Sequence, residues 1–160
     1  MRALIMSLLA ALVPFALAAR PSIQQRFIGS WKLISYEFTS TTGEVGYPRG
    51  RDAVGRISYD AAGRMSVQIM QPGCPQFAGS DSRQGTPDEM IAAYRNYLAY
   101  YGTYTVDESR GVVVHKVEAS LFPNYVGSDQ VRHYTFSGDR LTLEAETELG
   151  HAKLVWERLP

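Results

Sequence analysis

The sequence predicts an all-β fold, an antiparallel β-barrel of about eight strands with one helix. Three observations predict it. Most of the chain beyond the first twenty residues alternates apolar and polar side chains with period two, in short runs rich in aromatic and β-branched residues. Those runs follow one another through brief polar or Gly-containing turns, and strands adjacent in sequence usually pair. Only one segment, about 87–100, switches to helical spacing. Eight antiparallel strands in an open sheet have edges to hide, and closure removes them. A two-sheet sandwich is the rival arrangement.

The elements follow in order. The opening "MRALIMSLLAALVPFALAARPS" has a basic residue at Arg2, an apolar run from Ala3 to Phe15 interrupted by Pro14, and a small-x-small site at Ala16-Leu17-Ala18. This predicts a signal peptide over residues 1–18, a single domain over 19–160, and a secreted or periplasmic location. An uncleaved anchor competes. The run to Ala19 sits at the lower limit of about 17 residues for a span, and Pro14 weakens it. No stable membrane insertion is expected after cleavage.

"GSWKLISYEF" alternates and gives a first strand over about 29–39, followed by a turn-rich loop to about 53. "VGRISYD" and "GRMSVQIM" form two strands joined by Asp60-Ala61-Ala62-Gly63, a hairpin turn with a residue at positive φ. In the second of these, Met65, Val67 and Ile69 share one face. "QPGCPQFAGSDSRQG" is loop and holds Cys74. One cysteine cannot make an internal disulfide, and no Lys or Arg adjoins it in sequence to lower its pKa.

Thr86-Pro87-Asp88-Glu89 is a helix start: Thr86 caps, Pro87 fits the first helical position, and Glu89 completes a capping box. The helix is expected to reach about Tyr100, with Gly102 ending it. Its apolar face is Met90, Ala93, Tyr94, Tyr97 and Tyr101. A meander follows through "GTYTVD", "VVVHKVEAS", "QVRHYTF", "RLTLEAET" and "HAKLVWERL".

The blocks "FIGSWKLISYEF", "GRISYDAAGRMSVQIM", "YLAYYGTYTVDE", "HKVEASLFPNYVGSDQVRHY" and "GDRLTLEAE" together resemble the lipocalin-like domain family of the calycin superfamily, which includes the lipocalins and fatty-acid-binding proteins. The resemblance covers nearly all of the chain after the leader. It implies that Gly29-Ser30-Trp31 is the Gly-x-Trp signature, that Trp31 closes one end of the barrel, and that Arg158 packs across it. It also implies an internal cavity, used in relatives to carry small apolar molecules or, in some barrels, for cyclase or isomerase chemistry. The 39–53 loop and the helix between the third and fourth strands depart from the lipocalin layout.

Charge excludes other classes. Lys+Arg and Asp+Glu balance at 16 each, which leaves no basic surplus for nucleic acid. His115, His133 and His151 have no close ligand spacing, so no metal is expected. No G-x-S-x-G or phosphate-binding Gly-rich loop occurs, and no cofactor is expected.

What remains is a polar group inside an apolar barrel. Alternation places Val113, His115 and Val117 on the inward face of their strand. Two partners are possible for His115 across the next strand, about His133 or Tyr134. In "QVRHYTF" the aromatic face carries Arg132, Tyr134 and Phe136, whereas the opposite parity puts His133 inside. An inward Arg132 sits at the mouth, pairs with an acid, or holds an anionic ligand. It is similar to the Arg-x-Tyr pair that grips a carboxylate in fatty-acid-binding proteins. The expected ligand contacts are His115, Arg132, Tyr134 and Tyr104. The expected function is binding of a small hydrophobic or amphipathic molecule. The alternatives are a cofactor-free isomerase or cyclase with His115 or Tyr134 as acid–base group, and a filled barrel acting as a structural module.

Overall fold

The computed structural model describes residues 21–160, so the segment read as a signal peptide lies outside the described residues. A short helix α1 (Ile23–Phe27) precedes nine strands: β1 (Gly29–Ser40), β2 (Val45–Gly46), β3 (Val54–Tyr59), β4 (Arg64–Met70), β5 (Tyr97–Asp107), β6 (Val112–Ser120), β7 (Asp129–Ser137), β8 (Arg140–Thr147) and β9 (Gly150–Arg158). A second helix, α2 (Pro87–Asn96), lies between β4 and β5. From β3 to β9 each strand pairs antiparallel with the next, and β3 pairs with β1. β1 also pairs with β9 from Trp31↔Arg158 to Ser40↔Gly150, which closes eight strands into a barrel.

β1 and β3 pair only from Gly29↔Tyr59 to Lys32↔Arg56. Further along, β1 instead takes the two-residue β2, at Phe38↔Gly46 and Thr39↔Val45. The segment between β2 and β3 occupies the place where the two strands part, and it carries Arg49.

One end of the barrel is solid. α1, which no periodic pattern announced, is held by a capping box between Ser22 and Gln25. It delivers Phe27, fully buried, among the rings of Tyr59, Tyr104, Tyr134 and Phe136 at centroid distances of 5.2, 6.2, 5.2 and 5.0 Å. Most of these pairs meet edge to face, the arrangement aromatic quadrupoles favour. Trp31 donates its indole N–H to the Phe27 carbonyl at 2.9 Å. The Arg158 guanidinium stacks 4.1 Å over the Trp31 ring and donates to the carbonyls of Ile28 and Arg26. Gly29 is the residue that permits this. Its φ is +131°, and a Cβ there would stand 2.8 Å from Arg158 Nη1.

Two expectations need correction. The helix stops at Asn96, and Tyr97 to Tyr101 belong to β5, paired from Met70↔Tyr97 to Ser66↔Tyr101. Aromatic residues fit a strand as well as a helix face, and the ladder with β4 decides. Tyr100 therefore points into the barrel, while Tyr101 is 54% exposed. Gly102 is no helix stop. It sits at the β5–β6 bulge, where a Cβ would collide with the Lys116 carbonyl oxygen. The second correction is register: His115 pairs with Gln130, and His133 lies opposite Val112. The β6–β7 connection is tighter than expected, because the backbone N–H of Gly127 and that of Val117 bond back to Val117 and Ser128.

Gly29→Ala combines left-handed backbone strain with a clash on Arg158, and it should cost about 2 kcal/mol or more in urea unfolding. A loss near zero would show that the Gly29–Arg158 approach is not needed.

Candidate functional site

Beyond the aromatic plug the barrel is hollow. A cavity of about 1050 Å³ opens at the other end. Its apolar wall includes Ile57, Ile69, Leu98, Leu143, Leu154 and Trp156, one or two from each of five strands. Alternation builds this wall: Ile57 on β3, Val67 and Ile69 on β4, Leu141, Leu143 and Ala145 on β8, and Ala152 and Trp156 on β9 are turned inward and buried, with Leu154 partly buried between the last two. The Trp156 indole N–H is buried and has no partner among the described residues.

A polar group interrupts the wall. His115, 1% exposed, accepts or donates at both ring nitrogens: Nε2 lies 2.8 Å from the Tyr59 hydroxyl and Nδ1 lies 2.9 Å from the Tyr100 hydroxyl. A neutral imidazole has one donor and one acceptor, so one tyrosine donates to the ring and the other accepts from it. Burial disfavours the charged form, and the nearby Arg132 guanidinium adds to this, so the His115 pKa falls to about 3. Burial likewise raises the Tyr59 and Tyr100 hydroxyls above their ordinary value. At neutral pH all three are uncharged hydrogen-bonding groups.

Arg132 lines the same cavity from β7. Nη1 donates to the Val131 carbonyl at 2.8 Å and Nη2 to Gln130 Oε1 at 3.1 Å. Both acceptors are neutral. Tyr36 also faces the cavity from β1; burial raises its pKa, and the charge of Arg49, then that of Arg132, works against the rise.

Of the four predicted contacts, the structure brings His115 and Arg132 together on the cavity wall. It places Tyr104 and Tyr134 elsewhere. Both pack on Phe27 in the plug, and Tyr104 donates to the Asp60 carbonyl at 3.0 Å. The inward parity of both strands is as the alternation predicts; what differs is depth along the barrel, set by α1 filling one end. Reading the sequence missed Tyr59 and Tyr100, the two partners of His115. Alternation in "VGRISY" marks Tyr59 as inward, whereas Tyr100 was concealed by the helical spacing before it. His133 is exposed on the outer face. His151, also on the outside, bonds Glu146 at 2.7 Å, which raises its pKa. Cys74 is partly buried and accepts from Asn96 Nδ2 at 3.6 Å. Among the described residues no group of three or more His, Cys, Asp or Glu is arranged to hold a metal ion, and no helix is long and apolar enough to cross a membrane.

The lipocalin-like domain family model matches residues 28–159, from the residue before β1 to the residue after β9. The chain belongs to the lipocalin-like domain family. Among curated proteins it is similar to the 4'-hydroxy-3'-methoxypropiophenone carrier protein of Aspergillus oryzae, 38% identical over 108 residues, covering 60% of this chain and 97% of that protein. Among solved structures it is similar to Echinococcus granulosus fatty-acid-binding protein 1, with 13% identity and a TM-score of 0.42, covering 84% of this chain and 98% of that one.

In this family member the buried imidazole has a thermodynamic signature. Its folded pKa of about 3 lies below its unfolded value, so the unfolded chain binds more protons between the two. Stability therefore falls as pH drops through that window. Relative to His115→Gln, the natural chain should lose about 1.4 kcal/mol of unfolding free energy per pH unit between about pH 6 and pH 4. Urea midpoints measured across that range check it; parallel pH profiles would mean that His115 titrates normally in the fold.

Proposed function

We propose that this chain is an exported carrier that binds one small, largely apolar aromatic molecule in the barrel cavity. The observation that carries the reading is His115, bonded to Tyr59 and Tyr100, set with Tyr100 and Arg132 beside the apolar wall of Ile57, Ile69, Leu98, Leu143 and Trp156 in a cavity of about 1050 Å³. Such a wall holds a hydrophobic body by burial and orients it with a few polar contacts. The similarity to a carrier of a hydroxylated aryl ketone supports the ligand class. A flat ring with ketone and hydroxyl oxygens suits the phenolic and guanidinium donors. The contacts proposed from the sequence that stand on the wall are His115 and Arg132. Tyr100 joins them, and Tyr104 and Tyr134 shape the floor. Export rests on the basic, apolar and small-residue pattern of residues 1–18.

The isomerase or cyclase alternative draws less support. A general base works best with a pKa near the operating pH, and His115, at about 3 with both nitrogens engaged, is far from that.

Trp156 in the wall supplies a fluorescence reporter. Titration with a 4-hydroxyaryl ketone should quench it saturably. Arg132→Ala should weaken binding about tenfold, the loss expected for one charge-assisted hydrogen bond, whereas Tyr134→Phe should leave it unchanged. Ala145→Trp, which fills the cavity from β8, should abolish binding. Retained affinity in that filled variant would sink the cavity reading.

A further inference from the structure

We propose that the carried molecule bears an anionic oxygen, an ionised phenol or a carboxylate, and that a recess beside the cavity formed by Arg49 and Arg95 receives it. The inference rests on the carrier reading. The recess holds about 280 Å³ and shares Leu98 and Tyr125 with the main cavity, so the two adjoin. Arg49 enters it from the segment between β2 and β3, at the place where β1 and β3 part. Arg95 enters from the last turn of α2 and stands at the exposed rim. The recess lining contains no carboxylate. Asp129, Glu146 and Glu148 line the main cavity instead.

The guanidinium of Arg49 is incompletely paired. Nη1 donates to the neighbouring Pro48 carbonyl at 3.0 Å, but Nε is buried and has no partner among the described residues. Elsewhere in the same chain arginines meet carboxylates: Arg64 meets Asp60 at 2.6 Å and Arg83 meets Asp81 at 2.9 Å. No such ion pair forms at Arg49, Arg95 or Arg132 among the described residues. A buried donor without an acceptor is costly. Two guanidinium groups in a recess without acids, with a third on the adjoining wall, favour a ligand that brings negative charge. Tyr94, Tyr97 and Tyr125 complete the recess with phenol rings, which flank a flat ligand and add no formal charge. Tyr36, which feels both Arg49 and Arg132, marks where the two positive fields overlap.

Three probes with one aryl ketone body test this: the 4-hydroxy compound, its 4-methoxy ether and the 4-carboxy compound. Calorimetric titration is run at a pH above the ionisation of the free phenol. The charged probes should bind the full chain roughly tenfold or more tightly than the ether. Arg49→Met should collapse that ratio to near one, and Arg49→Lys should restore part of it. Because the readout is a ratio within each variant, a partly destabilised protein still reports. If the phenol exceeds the carboxylate, the source of the anion is a phenol; the reverse order assigns a carboxylate, and either result supports the recess. An ether that binds as tightly as both anions overturns this inference while leaving the carrier reading intact. So does a ratio that survives both Arg49→Met and Arg95→Met. Failure of all three probes to bind overturns the carrier reading and this inference with it.

Discussion

β1 pairs with β9 along nearly its full length, and that pairing turns a sheet into a closed wall. Everything else depends on it. Closure satisfies the backbone groups that an edge would leave open, and it brings Arg158 to Trp31 at the point where the ladder begins. The guanidinium then ties the last strand to the carbonyls of Ile28 and Arg26, just before the first. The chain's two described ends are thus joined by one side chain, and Gly29 leaves the room for it.

Once the wall is closed, its contents divide by depth. α1 drives Phe27 into one end and gathers four aromatic rings around it. The opposite end is not filled from within, and its inward residues line a cavity. His115 stands at the boundary. Tyr59, one of its partners, also contacts Phe27 in the plug; Tyr100, the other, lines the cavity. Full pairing of both ring nitrogens is what makes a buried imidazole tolerable there.

The architecture was legible in the sequence because most of it is periodic. Alternation on β6 gave the inward set of His115; on β7 it left two parities, of which the aromatic one with Arg132 is the inward one, and the Trp31–Arg158 closure followed from the resemblance of the flanking blocks. Three things were not legible, each for a physical reason. "YLAYY" satisfies helical and strand spacing alike, and only the ladder with β4 settles it. Depth along a barrel is not encoded in parity, so Tyr104 and Tyr134 pointed inward correctly yet into the plug. Arg49 lies in a segment with no periodicity, and its place follows from β1 and β3 separating beyond Lys32 and Arg56. Long-range pairing, invisible to a local window, decided the first and the third, and the packing of Phe27 from α1 decided the second.

The His115 boundary has a consequence for how such a chain can change over time. Side chains below it hold the barrel shut, so substitutions there are charged directly against folding. Side chains above it face empty space and bear less of that load. Ligand preference can therefore drift through Leu98, Leu154 or Arg132 while the floor of Phe27, Trp31 and Arg158 stays constant. One imidazole and two phenols mark the line between the half of the protein that must be kept and the half that is free to diversify.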